Sequence, residues 1–139
     1  MDCVLCDIIE GAEASRVYED ELCLAIMDLY PVTTGHLLVT PKRHAPHIAD
    51  LSGEEATAMF QIGTRLAAAL RHSTLRCEGV NLFLADGEAA FQEVFHSHLH
   101  VFPRYQGDTF KINADWLRQP REELDAAAEA IRLGLSSLE

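Results

Sequence analysis

The segment from Gln92 to Arg104 constrains the fold most strongly, because histidines alternate with small or apolar residues along it. The alternating residues are His96, His98 and His100. Successive side chains of a β-strand point to opposite faces, so an extended chain would place all three imidazoles on one face. Leu99 and Val101 would then face a core. Pro103 should end the strand, since proline cannot donate a hydrogen bond to a neighbouring strand.

Three imidazoles on one strand face allow several interpretations. They could form a solvated, histidine-rich edge or a structural metal site. They could instead form a site in which a neutral imidazole attacks an anionic group while its neighbours handle protons and charge. A catalytic metal held by all three is a further alternative. Ligands on one strand, however, stack along about 13 Å of chain at roughly 3.3 Å per residue, and they converge poorly on a single ion.

Size and charge exclude some classes of partner. The 139 residues are the length of one domain, and 48% of them are apolar. A net charge of −11 argues against a nucleic-acid polymer, because basic patches supply most of the affinity for such polymers. The first residues show no basic run followed by an apolar stretch, and no apolar run is long enough to cross a bilayer. We therefore expect a cytoplasmic protein that does not bind membranes.

Hydrophobic patterning predicts a mixed fold. Apolar residues recur at spacings of three and four from Ala56 to Leu70, behind a capping box at 52–55, and they predict a helix that ends between residues 71 and 76. Pro120 suits the first position of a last helix. Short alternating or apolar runs predict four strands besides the histidine strand, at 17–18, 22–27, 36–40 and 79–85. The pattern is that of an α+β fold with an antiparallel sheet of about five strands, one main helix and a C-terminal helix. Lys42 and Arg43, after the third strand, are expected to be solvated.

A Cys-x-x-Cys pair lies near the start of the chain. Without a secretory signal, Cys3 and Cys6 are better interpreted as thiols or metal ligands than as a disulfide. A thioredoxin-like redox pair is disfavoured because no βαβ pattern surrounds them. Two cysteines cannot close a zinc site alone, but His44 and His96 could complete a tetrahedral set.

Several segments resemble the histidine triad (HIT) superfamily, in the same order along the chain. Gln92 followed by the run from His96 to Phe102 resembles the signature itself. Upstream, residues 18–21, Asp28 and residues 34–44 resemble further blocks, so the resemblance covers about 3–105. It implies a HIT-like fold, a single HIT domain over 1–139 with a C-terminal helical extension at about 117–138, and a homodimer.

The resemblance also implies a chemistry. Members hydrolyse or transfer nucleotides at the α-phosphate of purine nucleotide derivatives, either phosphoramidates or dinucleoside polyphosphates. By position, His98 would be the nucleophile that forms a covalent nucleotidyl-histidine. His100 would hydrogen-bond a phosphoryl oxygen or the leaving atom, or offset negative charge as an imidazolium. Gln92 would position water or the leaving group, and His96 would orient the neighbouring loop or bind zinc.

Further site residues follow from the same resemblance. Asp28 would bind the ribose hydroxyls, as a carboxylate accepts two hydrogen bonds from a diol. Met27 and Leu29 would form walls for the base. Some bacterial members bind structural zinc at the four positions that correspond to Cys3, Cys6, His44 and His96. No organic cofactor is expected.

Three positions depart from the family pattern. Ala85 replaces an asparagine that contacts phosphate, Phe91 replaces a glycine, and Glu93 stands where several relatives carry serine or threonine. Ala85 removes a donor to phosphate. Glu93 brings an anion near an anionic substrate unless it contacts an amine leaving group or points away. These departures keep open an alternative function, a nucleotide-binding or regulatory protein with little turnover.

Overall fold

A computed structural model describes residues 2–139; Met1, where the predicted domain begins, lies outside the described residues. A single antiparallel sheet in the order β1-β2-β3-β5-β4 forms its centre. Its strands are β1 (Arg16–Glu19), β2 (Cys23–Met27), β3 (Leu37–Pro41), β4 (Gly79–Phe83) and β5 (Leu99–Arg104). The helices are α1 (Val4–Ile9), α2 (Gly53–His72) and α3 (Arg121–Ser136). The predicted α+β class is confirmed, with its five strands, main helix and C-terminal helix.

The two faces of the sheet pack against different helices. The face toward α2 carries Cys23, Ala25, Leu37, Val39, Leu99 and Val101. The opposite face carries Leu24, Ile26 and Leu38, which pack with residues of α1 and its N-cap. Side chains of β5 alternate in the same way, so the predicted inward direction of Leu99 and Val101 is confirmed. His98 and His100 consequently lie on the face that α1 only partly covers.

Gly63 allows α2 to approach β5 closely. A Cβ atom at this position would lie 2.9 Å from Leu99 Cδ2, which is closer than ordinary van der Waals contact. A side chain at residue 63 would therefore push the main helix away from the strand that carries the histidines. The helix begins as predicted, with Ser52 and Glu55 forming a reciprocal capping box.

Lys42 and Arg43 reach solvent as predicted, with side chains 28% and 54% exposed, and each also forms an ion pair. Lys42 Nζ lies 2.7 Å from a carboxylate oxygen of Glu19. The guanidinium of Arg43 donates to both carboxylate oxygens of Glu55, at 3.1 and 2.7 Å. The Arg43 hydrogen bonds hold the pKa of the Glu55 carboxyl below its ordinary value, although burial of this side chain acts to raise it. This pair links the loop after β3 to the start of α2.

Two further expectations about β5 are corrected. The strand does not stop before Pro103 but continues to Arg104, with Pro103 opposite Val80 of β4. Pairing with β3 has already ended at Val101, so no strand pairs with residue 103 on that side. A proline, which lacks an N–H group, is therefore tolerated there. The strand also begins only at Leu99, which leaves His96 outside it.

The C-terminal segment lies on the surface. No residue of α3 is buried, and its apolar stripe is exposed at Leu124, Ile131 and Leu135. Within residues 2–139, no helix is both long and apolar enough to cross a membrane. The domain boundaries stay predictions.

Candidate active site

A cleft of about 1130 Å³ opens on the α1 side of the sheet. It brings together all six residues predicted to bind the nucleotide, which are Met27, Asp28, Leu29, Gln92, His98 and His100. They come from the end of β2, the loop before β5 and β5 itself. Neighbouring strands thus bring sequence-distant residues to one cavity, while the roles of the individual residues stay predictions.

His98 is held in one tautomer by the backbone. Its Nδ1 lies 2.7 Å from the carbonyl oxygen of His96. A carbonyl can only accept, so Nδ1 must carry the proton and Nε2 of the neutral ring has a free lone pair. The side chain is 9% exposed and lines the cleft. The hydrogen bond therefore directs Nδ1 of this buried imidazole to the backbone and leaves Nε2 for a ligand.

His36 was not predicted as a site residue, yet it contacts the histidine strand directly. Its Nδ1 accepts a hydrogen bond from the backbone N–H of Val32, so the proton of the neutral ring lies on Nε2. That Nε2 is 2.9 Å from Nδ1 of His100. Donation to His100 Nδ1 leaves the proton of His100 on its own Nε2. The signal in the sequence was its place beside β3, the strand next to β5.

Burial keeps this histidine pair uncharged. Burial, and then the neighbouring rings of His98 and His36, lower the pKa of His100 to about 4. Burial also lowers the pKa of His36, although the Asp28 carboxylate opposes this effect. In the free protein at neutral pH, His100 is therefore a neutral hydrogen-bond donor and not an imidazolium.

Asp28, the predicted ribose-binding residue, lies beside His36. One carboxylate oxygen accepts a hydrogen bond from the backbone N–H of Tyr30 at 2.8 Å. The other lies 3.5 Å from Nε2 of His36. A carboxylate has about four lone-pair sites, so Asp28 can still accept hydrogen bonds from a ligand.

Gln92 lines the cleft, but its amide is already hydrogen-bonded to the backbone. Its carbonyl oxygen accepts from the N–H of Gly87 at 2.7 Å. Its amide nitrogen donates to the carbonyls of Pro46 and Val94, at 2.7 and 3.2 Å. In the free protein, this side chain fixes the loop that precedes the histidines.

All three positions that depart from the family pattern line the cleft. Ala85 is buried and offers no side-chain donor. Phe91 has a left-handed backbone, with φ of 70°, and its side chain is 82% exposed. Such a conformation suits the glycine that the family carries there. Glu93 is exposed.

His96 does not share the cleft. The expectation that all three histidines project into one pocket is wrong for this residue, which is fully buried and absent from the cleft lining. Its Nε2 donates to the carbonyl of Pro41 at 2.7 Å, so its Nδ1 carries a lone pair in the neutral ring. That nitrogen faces two cysteines and His44 instead.

The four predicted zinc ligands converge on one point. The Nδ1 atom of His96 lies 3.5 Å from each sulfur of Cys3 and Cys6, and 3.2 Å from Nδ1 of His44. The Cys6 sulfur lies 3.3 Å from the same atom of His44. Cys3 is the N-cap of α1, which turns both cysteines to the same side.

These separations fit a tetrahedral metal site. Zinc–ligand bond lengths place sulfur and nitrogen ligands about 3.6 Å apart and two nitrogens about 3.3 Å apart. The observed separations are close to both values. His96 Nδ1 also has the outer hydrogen bond, from Nε2–H to a carbonyl, that metal-bound histidines require. The cluster is compatible with zinc.

A catalytic metal held by the three strand histidines finds no support in the geometry. Of the residues that the structure describes, two groups could hold an ion, and His98 belongs to neither. One is the Cys3–Cys6–His44–His96 cluster. The other is Asp28, His36 and His100, where the 2.9 Å between His36 Nε2 and His100 Nδ1 is the length of a hydrogen bond.

The fold and the cleft define a histidine triad protein, and comparisons with known proteins agree. A family model described as the HIT domain matches residues 10–107. An uncharacterised HIT-like protein of Mycobacterium tuberculosis is 41% identical over 137 residues, covering 98% of this chain and 94% of the relative. The chain therefore belongs to the HIT family.

Two other relatives bear on the site. Adenylylsulfatase HINT3 of Arabidopsis thaliana is 34% identical over 131 residues, which are 94% of this chain and 66% of that protein. The crystal structure of a zinc-bound histidine triad family protein from Mycobacterium smegmatis superposes with a TM-score of 0.77. It is 44% identical and covers 100% of this chain and 99% of its own.

Proposed function

We propose that the protein hydrolyses or transfers nucleotides at the α-phosphate of purine nucleotide derivatives, through a covalent nucleotidyl intermediate on His98. The observation that carries this proposal is the hydrogen bond from His98 Nδ1 to the His96 carbonyl. It leaves an unprotonated nitrogen on a buried ring that lines the cleft. Family membership and the adenylylsulfatase relative support the same reaction class.

The first step is a displacement at phosphorus. The lone pair of His98 Nε2 forms a bond to the α-phosphorus, and the bond to the leaving atom breaks. The leaving atom keeps the electron pair, and an amine leaving group also takes a proton from solvent. Water then attacks the nucleotidyl-histidine, the electron pair of the P–N bond returns to His98, and the proton of water is lost to solvent.

His100 stabilises charge on the phosphoryl group as a neutral donor. Its Nε2–H donates to a phosphoryl oxygen or to the leaving atom, where negative charge develops. His36 acts through His100 and is a positioning residue, since its own proton fixes the His100 tautomer. Gln92 is also assigned a positioning role, because its amide holds the loop before the histidines.

The nucleoside part binds at the end of β2. Asp28 accepts hydrogen bonds from the ribose hydroxyls, and Met27 and Leu29 contact the base. Leu29 is 83% exposed, so a base would cover apolar surface that is open to water.

Zinc in the Cys3–Cys6–His44–His96 cluster would be structural. All four donors come from the protein, which leaves no open position for water. When bound, the ion would fix α1, the end of β3 and the chain before β5 relative to one another. His96 therefore holds the loop, and its carbonyl orients His98.

Assembly and location complete the proposal. A homodimer is supported by β4, an edge strand of the sheet on which Leu82 and Phe83 are both partly exposed. None of the four cysteines of the described chain is in a disulfide, which suits the cytoplasm.

The alternative, a nucleotide-binding protein with little turnover, is favoured by one observation. Ala85 lines the cleft without a side-chain donor, so the phosphate loses a contact that the family pattern includes.

A substrate panel separates the two functions. We expect purified protein to hydrolyse at least one adenosine or guanosine phosphoramidate, dinucleoside polyphosphate or adenylyl sulfate. His98→Ala should abolish that turnover and retain nucleotide binding. Binding without turnover by the wild type would support the alternative.

A further inference from the structure

The mostly apolar cleft that holds His98 includes four acidic residues in its lining and no lysine or arginine of the described chain, 2–139. Its carboxylates belong to Asp7, Glu13, Asp28 and Glu93. A nucleoside phosphate brings its own negative charge into this field. Each further negative charge on the leaving group therefore meets repulsion, whereas a positive charge meets attraction.

Three of these carboxylates are not neutralised by the protein. Asp7, Glu13 and Glu93 are exposed at the cleft, and none of them is in an ion pair with a basic group of residues 2–139. Asp28 differs, since it contacts Tyr30 and His36. The guanidinium of Arg16 donates to the backbone carbonyls of Ile8 and Ala12 in the cleft lining but pairs with none of these carboxylates, which remain available to a ligand.

The buried nucleophile fixes where the ligand must lie. His98 is 9% exposed, and its Nε2 has no hydrogen-bond partner among the described residues although it lines the cleft. With the ribose on Asp28, as proposed above, a phosphorus atom that reaches this nitrogen has the nucleoside on the Asp28 side. The leaving group then lies toward the remaining lining residues.

A second hollow of about 490 Å³ adjoins the cleft on this remaining side. Both cavities are lined by Val4, Glu93 and Val94, so Glu93 lies at their border. The hollow adds the apolar side chains of Pro46 and Phe95, a further carboxylate at Asp2, and Cys3 and His44 of the cysteine–histidine cluster. Its surface suits an apolar chain that ends in a cation.

We infer that the leaving-group side of this site selects amines that carry a second, positively charged group, and that Glu93 determines this selectivity. The inference rests on the proposed function and names its substrate class, nucleoside phosphoramidates of cationic amines. Anionic leaving groups, such as a second phosphate, are disfavoured by the same carboxylates. Glu93 is the residue to test because it alone of the acidic residues lines both cavities.

The reaction leaves the cation unchanged. His98 Nε2 forms its bond to phosphorus, the bond between phosphorus and the amine nitrogen breaks, and that nitrogen takes the electron pair and a proton from water. The second amino group remains an ammonium throughout. Its charge therefore affects binding and orientation, and not the bond that breaks.

Three adenosine phosphoramidates with the same alkyl chain test the inference. The chain ends in an ammonium, a methyl or a carboxylate group, and kcat/KM is measured for each at low salt. We expect the order ammonium, methyl, carboxylate, with about tenfold between the extremes. Added salt should reduce this ratio, because screening weakens exposed charges.

Two matched variants locate the effect. Glu93→Gln should reduce the ammonium-to-carboxylate ratio about threefold or more. Glu88→Gln removes an exposed carboxylate of the same loop that lines neither cavity, and it should leave the ratio unchanged. Equal kcat/KM values for the three compounds, or a ratio that Glu93→Gln does not change, would overturn the inference.

Failure of the proposed function gives a different result. If neither these three compounds nor any member of the wider substrate panel is hydrolysed, or if hydrolysis persists in His98→Ala, the enzymatic proposal is wrong. The selectivity is then still measured as dissociation constants on His98→Ala, where no turnover interferes. The same ranking there supports the acidic leaving-group site, and equal affinities contradict it.

Discussion

Nε2 of His36 donates a hydrogen bond to Nδ1 of His100 across 2.9 Å, between the end of the loop before β3 and the neighbouring strand β5. His36 is 3% exposed, and the N–H of Val32 fixes its tautomer in turn. The tautomer of His100, with its proton on Nε2, is thus set by a residue outside the three alternating histidines.

Removing His36 should slow the chemical step more than it weakens binding. In His36→Ala, the ring of His100 is free to take either tautomer, and we expect kcat to fall about 100-fold with little change in KM. His36→Gln places an amide N–H near the position of Nε2 and should recover part of the loss. Equal activity of the alanine and glutamine variants, or a change confined to KM, would contradict the positioning role.

The low pKa of His100 makes the fold less stable in acid. Its pKa is about 4 in the folded chain and near 6.5 when unfolded, so the unfolded chain binds the proton more readily. The stability that the neutral His100 ring gives the folded state is fully present above pH 6.5, and it is lost as the pH falls toward 4. At pH 5 the loss should amount to about 2 kcal/mol in the free energy of unfolding.

Urea unfolding at pH 7 and pH 5 measures this effect. His100→Asn should reduce the difference between the two pH values, because the titrating group is gone. His72→Asn changes an exposed histidine and should leave the difference as in the wild type. The expectation is wrong if the free energy of unfolding falls equally in the wild type and in His100→Asn between pH 7 and pH 5.

Zinc content tests the cysteine–histidine cluster. We expect one zinc per chain in protein purified without chelators, and its loss in Cys3→Ser together with a lower melting temperature. Cys77 is buried outside the cluster, so Cys77→Ser should retain the metal. A full zinc content in Cys3→Ser would rule the cluster out as the site.

Phe91 occupies a backbone conformation that costs a non-glycine residue about 1 kcal/mol. Its side chain is largely exposed and contributes little packing. Phe91→Gly should therefore raise the free energy of unfolding by up to about 1 kcal/mol, whereas Phe91→Ala keeps the strain and should not. Chemical denaturation compares the two, and a less stable glycine variant would show that the aromatic ring stabilises the fold.

The sequence predicted most of the fold because its local signals were consistent. The capping box at Ser52 and Glu55 and the apolar spacing behind it located α2 to within a few residues. The alternation in the histidine segment correctly placed Leu99 and His100 on opposite faces. In contrast, no local signal showed that the apolar stripe of α3 stays exposed on this chain.

The site was harder to predict, because contacts from other elements override local alternation. The N–H of Ser97 donates to the carbonyl of Ala45, and His96 donates to Pro41, so the chain bends before β5 and turns His96 toward the cysteines. His36 was missed for the same reason, since its role depends on strand pairing. Arg43 pairs with Glu55 only once α2 packs beside β3.

The most direct test of the account is rapid quenching of a single turnover, followed by peptide mapping of the labelled protein. With an adenosine phosphoramidate labelled in the phosphate, we predict one acid-labile nucleotidyl group on the peptide that contains His98. The group should be absent from His98→Ala. It should be present in His96→Asn, provided that this variant folds. Turnover without any covalent label, or a label that persists on the peptide of His98→Ala, would contradict the role of His98 as the nucleophile.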